Sequence, residues 1–559
     1  MVKASDYIAD FVAKQGVRHV FGVTGGADLH MVHSFALHPD IKFIPMAHEQ
    51  AAAMAADAYA RLTGFGCAVA TSGPGATNLL TGVCCSWFDS IPVLYLTGQV
   101  ATGRQGCDVT RQGGFQEAPV VDMFSPVTKS SLLVNSPQDV RPALVNVTHV
   151  ALSGRPGPVL LDIADDVARS DIDEGEPPGR FSALRSATPP DAVAEVARGL
   201  STAQRPVIIA GRGLWLSGAK DAFGALVNSI GVPVVCTWGA PDILPGDNKW
   251  NLGRFGVTGS ARANYAVQNA DLIVAFGARL DERQTGSPAS SFAPRAKAIH
   301  VVDIDLGQLE YTRTRLPVLT HQADARLFVE ELAVHKGLPL PNGSPWWGEL
   351  YAVGADRPER KHTGRFPPYL AFEILSNAAP EDAIICTDTG MGLAWTMQTW
   401  KFKGTQRFIH ATNNTPMGYG LPAAIGAAFA HPERPVICIT GDGGLAMNMQ
   451  ELATVRKHNL NIKIFVIANG GYGMIQQTED QWFRARHFGS SVSTGVPLPE
   501  DWCMLADAFG LDSAGCNTDG GLESVLGVAF QDGPFLVEMN ISLNERMVPF
   551  IPAGGSLGG

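Results

Sequence analysis

The stretch Val436-Ile-Cys-Ile-Thr-Gly441-Asp-Gly-Gly-Leu-Ala-Met447, with its continuation Ile462-Lys-Ile-Phe-Val-Ile-Ala468-Asn469, decides the fold. One apolar run ends at Gly441-Asp442-Gly443, a helical pattern covers Met447 to His458, and a second apolar run ends at Asn469. Strand, turn, helix and strand make a βαβ unit, whose crossover is almost always right-handed. Asp442 and Asn469 then stand at the carboxyl ends of two parallel strands, where open α/β sheets hold their ligands. A carboxylate and an amide oxygen there suit one hard cation, and Mg²⁺ completes its octahedron with phosphate oxygens and water. Gly441, Gly443 and Gly444 let backbone N–H groups approach a diphosphate, and the helix start favours its charge. The tripeptide alone reads as a plain turn, since short motifs recur by chance. The whole unit reads as a magnesium–diphosphate clamp.

At 559 residues the chain exceeds one hydrophobic core, so about three or four domains are expected. A net charge of −11 argues against a general nucleic-acid surface, which needs concentrated Lys and Arg. The nine cysteines include no CxxC pair, which points to reduced thiols and a cytoplasmic setting rather than a disulfide framework. The first residues lack the apolar core of a signal peptide, and no apolar run reaches membrane-spanning length.

Strand-like and helix-like segments alternate throughout, which defines an α/β protein with parallel sheets. Three doubly wound blocks are expected, at residues 1–165, 188–335 and 368–540, followed by a tail at 541–559. The first holds helices at Ser5–Gln15, Glu49–Thr63 and Ala76–Phe88, with strands at His19–Gly22, Gly66–Thr71 and Ile91–Thr97. Polar linkers are expected from Asp165 to Ser186 and from Pro339 to Pro367. The tail from Val548 is irregular; its apolar residues either pack onto the body or fray.

With these blocks in view, the chain resembles the thiamine-diphosphate-dependent enzymes, and within them the acetolactate synthase catalytic subunit, over nearly its whole length. His48-Glu-Gln-Ala-Ala52 is similar to the motif carrying the cofactor-activating glutamate, and Thr71-Ser-Gly-Pro-Gly-Ala-Thr-Asn78 to the turn that follows. Thr97-Gly-Gln-Val100 and Gly114-Phe-Gln-Glu117 resemble its substrate side, Phe276-Gly-Ala-Arg-Leu-Asp-Glu-Arg283 its flavin signature, and Met417-Gly-Tyr-Gly-Leu421 the segment before the metal motif. The tail Ile551-Pro-Ala-Gly-Gly555 also has a counterpart. The resemblance implies pyrimidine-binding, flavin-carrying and diphosphate-binding domains in that order. It implies thiamine diphosphate, Mg²⁺ and FAD, and a homodimer or homotetramer with active sites between subunits.

Roles follow residue by residue from that resemblance. Glu49 is the proton relay to the cofactor's aminopyrimidine, and burial among Ala51, Ala52, Ala53 and Met54 would raise its pKa. Read alone, Glu49 is a helix-start carboxylate favoured by the helix dipole. Met417 bends the cofactor; read alone, a methionine there is core filling. Asp442, Asn469 and the Gly471 carbonyl ligate Mg²⁺; Thr389, Gly390, Gly441, Gly443 and Gly444 hold the diphosphate. Phe115 and Gln116 line the reacting centre, with Gly25, Met474 and Thr478 in the substrate pocket; for Phe115, core packing is the alternative. Arg279, Asp281, Arg283, Asp303, Gly211 and Thr237 serve FAD, unless the charged loop is only a solvated salt-bridged turn. Pyruvate decarboxylases carry adjacent histidines for protonation; this chain has no such pair, which favours carboligation.

Three departures concern the acceptor. Thr478 stands where the synthases have a pocket tryptophan, Asp165 where they have a lysine, and Asn413-Asn-Thr-Pro416 replaces a glycine-rich turn. Extra sequence at Gly103–Gly113 brings Arg104 and Arg111. Loss of an indole opens space. The expectation is therefore a pyruvate donor and a bulky carbonyl acceptor, such as a nucleotide-linked keto-deoxysugar. The alternatives are acetolactate synthase itself, a 2-oxo acid decarboxylase or lyase, and a non-catalytic flavin- or thiamine-binding protein.

Overall fold

The computed structural model describes all residues except 174, 183–186, 336–337, 339–344, 354–364, 553 and 558–559. Three six-stranded sheets follow one another along the chain, and every strand pairing within them is parallel. Their central strands are almost wholly buried apolar runs, as sheets covered by helices on both faces require, while the edge strands are partly exposed.

In the first sheet the spatial order is Lys42–Pro45, His19–Gly22, Gly66–Ala70, Val93–Gln99, Val159–Ala164, Ser130–Val134. In the third it is Arg407–Ile409, Ile384–Thr387, Val436–Gly441, Ile462–Ile467, Phe535–Met539, Asp512–Cys516. Both follow the order 2-1-3-4-6-5 in chain sequence. The chain reverses direction between strands 1 and 3, which opens a crevice beyond Gly22 and Ala70 in one domain and beyond Thr387 and Gly441 in the other. The middle sheet runs Asn251–Arg254, Val234–Cys236, Pro206–Ala210, Leu272–Phe276, Ala298–Asp303, Leu319–Gln322, the dinucleotide-fold order 3-2-1-4-5-6. Its reversal lies between Ala210 and Phe276.

The helix Glu49–Thr63 packs on Gly420–Ala430, joining the first and third domains in one core. A side chain at Gly426 would meet the Ala55 carbonyl at 2.1 Å, so glycine sets that spacing. The tail lies against the body: Ile551 N–H donates to Val257 O at 2.9 Å, and Ser287 N–H to Gly555 O at 2.9 Å.

Three local expectations are corrected. The helix after Gly441 starts at Asp442, not Met447, because Gly443 and Gly444 sit in its first turn, packed on Tyr472 and Asp388. The segment Ala76–Phe88 is two helices, Pro74–Asn78 and Leu80–Asp89. The first linker begins with the helix Asp165–Ala168 and a strand, Asp171–Ile172, that pairs antiparallel with Val2–Lys3. Much of the second expected linker lies outside the described residues; Pro345–Ala352 within it is helical.

Candidate active site

Two groups of side chains lie at the crevices of the first and third sheets. In the first, Glu49 opens its helix after the cap His48, and its Oε2 accepts from Asn78 Nδ2 at 3.0 Å. A Cβ on Gly75 would come to 3.4 Å from Glu49 Oε1. Ala51 to Met54 are fully buried while Glu49 is half-buried. The expected burial of its carboxyl is therefore corrected: Glu49 stays half-exposed and bonds to Asn78, while the alanines that follow it fill the core. Gly25 N–H donates to Asp28 Oδ1 at 2.7 Å. Asp28 is buried, and burial pushes its carboxyl up to about 7. Gln116 has a left-handed backbone (φ 60°), and a Cβ on Gly73 would come within 2.6 Å of its carbonyl oxygen. Phe115 beside it is 84% exposed, so it is not a core residue.

In the third domain, Asp388 follows its strand and lies buried. It accepts N–H bonds from Thr389 at 2.8 Å and from Gly418 and Gly420 at 3.0 Å each. Burial pushes its carboxyl up to about 6. This one group sets the loop of Thr389–Gly390 against the loop of Met417–Gly420. Gly390 has φ 94°, a conformation natural only to glycine. The Met417 methyl reaches within 3.1 Å of where a Gly443 side chain would begin. Asp442 Oδ1 accepts from Gly443 N–H at 2.7 Å, and Oδ2 from Asn469 N–H at 3.1 Å and Gly470 N–H at 2.6 Å. Asn469 Oδ1 accepts from Gly471 N–H at 3.1 Å, which draws Asp442, Asn469 and Gly471 into one tight loop. Burial raises the Asp442 carboxyl above the usual range. Met474 and Thr478 lie on the next helix, Gly473–Trp482. Met474 packs on the core, and the exposed Thr478 hydroxyl donates to Met474 O at 3.0 Å. The two domains meet beside the site: Glu451 Oε1, just past the helix that Asp442 begins, accepts N–H bonds from Ala47 at 3.0 Å and His48 at 3.2 Å.

A cleft of about 480 Å³ opens at the reversal of the middle sheet. It is lined by Arg212, Thr237, Arg279, Asp281, Arg283 and Asp303, with Asp89 and Arg155 from the first domain and Asn413 from the third. Gly211 does not line it; a Cβ there would strike Gly277 O at 2.2 Å, so it sets the spacing of two strand ends. Asp281 caps the helix Glu282–Thr285, Arg279 donates to Asn413 Oδ1 at 3.1 Å, and Arg155 pairs with Asp305 at 2.8 Å. Arg212 is the residue that sequence reasoning missed. Its Nε is buried without a partner, and burial lowers its guanidinium to about 10. The signal was the Gly211-Arg212-Gly213 turn directly after a buried strand. Asp388 and Asn78 were likewise missed as organising residues, although each stands in a motif-like run.

The residues present fit the groups they would hold. Asp442, Asn469 and the Gly471 carbonyl form an all-oxygen donor set, suited to a hard cation. Gly390, Gly441 and Gly470 have open space where a Cβ would be, a cradle that any side chain would fill. The unpartnered Arg212 Nε, in a cleft with further arginines, fits a dinucleotide's diphosphate.

Three family models match in order. The thiamine pyrophosphate enzyme N-terminal TPP binding domain covers residues 2–123, the central domain 193–332 and the C-terminal TPP binding domain 388–539. The Escherichia coli (strain K12) acetolactate synthase isozyme 2 large subunit is 35% identical, over 99% of this chain and 98% of that protein. Acetolactate synthase 2, chloroplastic, of Nicotiana tabacum is 32% identical, over 99% of this chain and 84% of that protein. The Pyropia yezoensis acetolactate synthase large subunit is 34% identical, over 98% and 93%. Fold and matches together define a thiamine pyrophosphate enzyme. Within that class the chain belongs to the acetolactate synthase family. Its cofactor is thiamine pyrophosphate. No helix among the described residues is long and apolar enough to cross a membrane.

Proposed function

We propose that the chain decarboxylates pyruvate and joins the two-carbon unit to the carbonyl carbon of a second 2-oxo acid, as the name acetolactate synthase describes for its relatives. The observation that carries this reading is the end-to-end match to proteins of that name at 32% to 35% identity. The C1–C2 bond of the donor breaks and CO₂ leaves. One C–C bond forms, and the acceptor oxygen takes a proton. No net oxidation occurs, so FAD is held without being consumed. Thiamine pyrophosphate, when bound, supplies the nucleophilic carbon and the electron sink.

The chain's own groups take the remaining tasks. Glu49, with Oε2 fixed by Asn78, holds and exchanges a proton with the cofactor's aminopyrimidine. Asp442, Asn469 and the Gly471 carbonyl hold Mg²⁺, and Thr389, Gly390, Gly441, Gly443 and Gly444 surround the diphosphate. Met417, beside Gly443, would lie against the bound cofactor. Phe115, Gln116, Gly25, Met474 and Thr478 face the substrates. Arg279, Asp281, Arg283, Asp303 and Thr237 line the FAD site, with Gly211 behind them. A homodimer or homotetramer, with active sites between subunits, is the assembly that the family resemblance implies. Nine free cysteines agree with a cytoplasmic location.

A second reading has one observation behind it. Thr478 turns its hydroxyl back onto its own helix and presents no ring to the pocket. A larger acceptor, such as a nucleotide-linked keto-deoxysugar, would have room there. An acceptor panel with pyruvate, Mg²⁺ and thiamine pyrophosphate separates the two. Preference for pyruvate or 2-oxobutyrate supports the synthase reading; preference for larger ketones overturns it.

A further inference from the structure

Glu117 is buried directly after the Phe115–Gln116 turn. Its Oε1 accepts N–H bonds from Gly106 at 2.7 Å and Cys107 at 3.0 Å. Its Oε2 accepts from Gly113 at 2.8 Å and Gly114 at 2.9 Å. One carboxylate thus clasps both ends of the loop 106–114, which joins the extra sequence at Gly103–Gly113 to the shared motif that starts at Gly114. The ends touch: a Cβ on Gly113 would fall 2.7 Å from Gly106 Cα. Burial alone would raise the carboxyl; the four N–H donors overcome it and hold its pKa at about 2. The clasp therefore stays ionised at every ordinary working pH.

The turn that Glu117 fixes needs fixing. Gln116 is a non-glycine residue in a left-handed conformation, which persists only where its surroundings determine it. Above, its carbonyl rests on Gly73. That glycine belongs to the turn that ends at Asn78, the partner of Glu49. Below, Glu117 anchors the strand of chain it continues. Outward, the same rim carries Phe115 and Val109, 84% and 87% exposed, with Arg104 and Arg111. These side chains meet whatever arrives from solvent.

We propose that Glu117 is a positioning residue for the carbonyl acceptor: it holds the Phe115–Gln116 turn and the loop 106–114 as one rigid rim beside Glu49. The inference rests on the reading that Glu49 and Gln116 face the reacting carbons. Release of CO₂ from the donor does not need the rim; capture of the second carbonyl does.

The test uses the full-length holoenzyme, with CO₂ release and ligated product measured separately over a range of acceptor concentrations. Glu117→Gln keeps the shape, but its NH₂ faces two of the four donors. The expected result is a rise of about tenfold in acceptor KM, the equivalent of one lost strong hydrogen bond. Product per CO₂ falls, because the uncaptured two-carbon unit takes a proton and leaves as acetaldehyde, while the CO₂ rate at saturating pyruvate stays within about threefold of the parent. A purely structural lesion would lower both outputs together, and that result overturns the proposal. So does an unchanged KM and product ratio. Glu117→Asp keeps the charge on a shorter arm and should fall between parent and Glu117→Gln; should Glu117→Gln not fold, an unchanged ratio in Glu117→Asp overturns the proposal. Phe115→Ala and Gln116→Ala separate the levels. If they alter the ratio and the Glu117 variants do not, only the inference about Glu117 fails. If none alters it, the reading of the turn as part of the site fails as well.

Discussion

The hydroxyl of Tyr419 donates to Oδ2 of Asp57 at 2.6 Å, across the junction of the first and third domains. Asp57 lies two turns along the helix that begins at Glu49, and Tyr419 stands two residues beyond Met417. Arg61 completes the knot. It pairs with Asp57 at 2.7 Å and Asp89 at 2.9 Å, and it donates to His410 O at 2.9 Å. Tyr419→Phe removes one bond and leaves Asp57 its other partners, at an expected cost of about 1–2 kcal/mol. Arg61→Met strands two buried carboxylates and should cost about 3–5 kcal/mol. Denaturant unfolding of the two variants should rank them in that order.

Glu49→Gln removes the exchangeable proton but keeps an oxygen for Asn78. Turnover should fall by about 10²- to 10⁴-fold. Circular dichroism and cofactor affinity should stay near those of the parent, because Glu49 caps nothing and bonds only at the crevice.

Asp442→Ala takes away the carboxylate that gathers Gly443, Asn469 and Gly470. A thermal-shift titration with Mg²⁺ and thiamine pyrophosphate checks it. The parent should gain about 2.7 kcal/mol at a hundred times Kd, and the variant should gain almost none. Chelation of Mg²⁺ should reproduce the variant's behaviour in the parent.

Arg212→Met leaves the flavin cleft without its buried, unpartnered guanidinium Nε. FAD affinity should weaken by about tenfold, the worth of one charge-assisted bond. The ratio of flavin to protein absorbance after gel filtration reads this directly.

Asp162 gives a pH dependence with a defined sign. It stands within the first sheet, on the strand Val159–Ala164, accepting from Thr97 Oγ1 at 2.7 Å and Gln99 Nε2 at 2.8 Å. Burial pushes its carboxyl up to about 7 from the usual 3.8. The folded state therefore binds this proton more tightly than the unfolded chain does. The stability it contributes is complete below about pH 4 and is lost as pH rises to about 7. Asp162→Asn should flatten the change in unfolding midpoint between pH 4.5 and 7.5, at about those two values.

Much of this was legible in the chain because the informative runs are local. The βαβ unit from Val436 to Asn469 shows its period, its turn and its two polar strand ends within a single window, and the structure puts Asp442, Asn469 and Gly471 in one loop. What a window cannot contain was missed. Asp388 organises residues about 30 positions away, Glu117 clasps a loop by its backbone, and Arg212 is defined by a lack of partners in three dimensions. None of these has a periodic signature. The start of the helix at Asp442 was misplaced because glycines read as turn punctuation, while here they admit Asp388 and Tyr472 at close range.

The most direct measurement is the stoichiometry of the reaction with pyruvate, Mg²⁺ and thiamine pyrophosphate in the purified protein. One CO₂ should appear for each new carbon–carbon bond, and both should vanish together in Glu49→Gln and Asp442→Ala. Acetaldehyde as the sole product, or no CO₂ from any 2-oxo acid, would contradict the account.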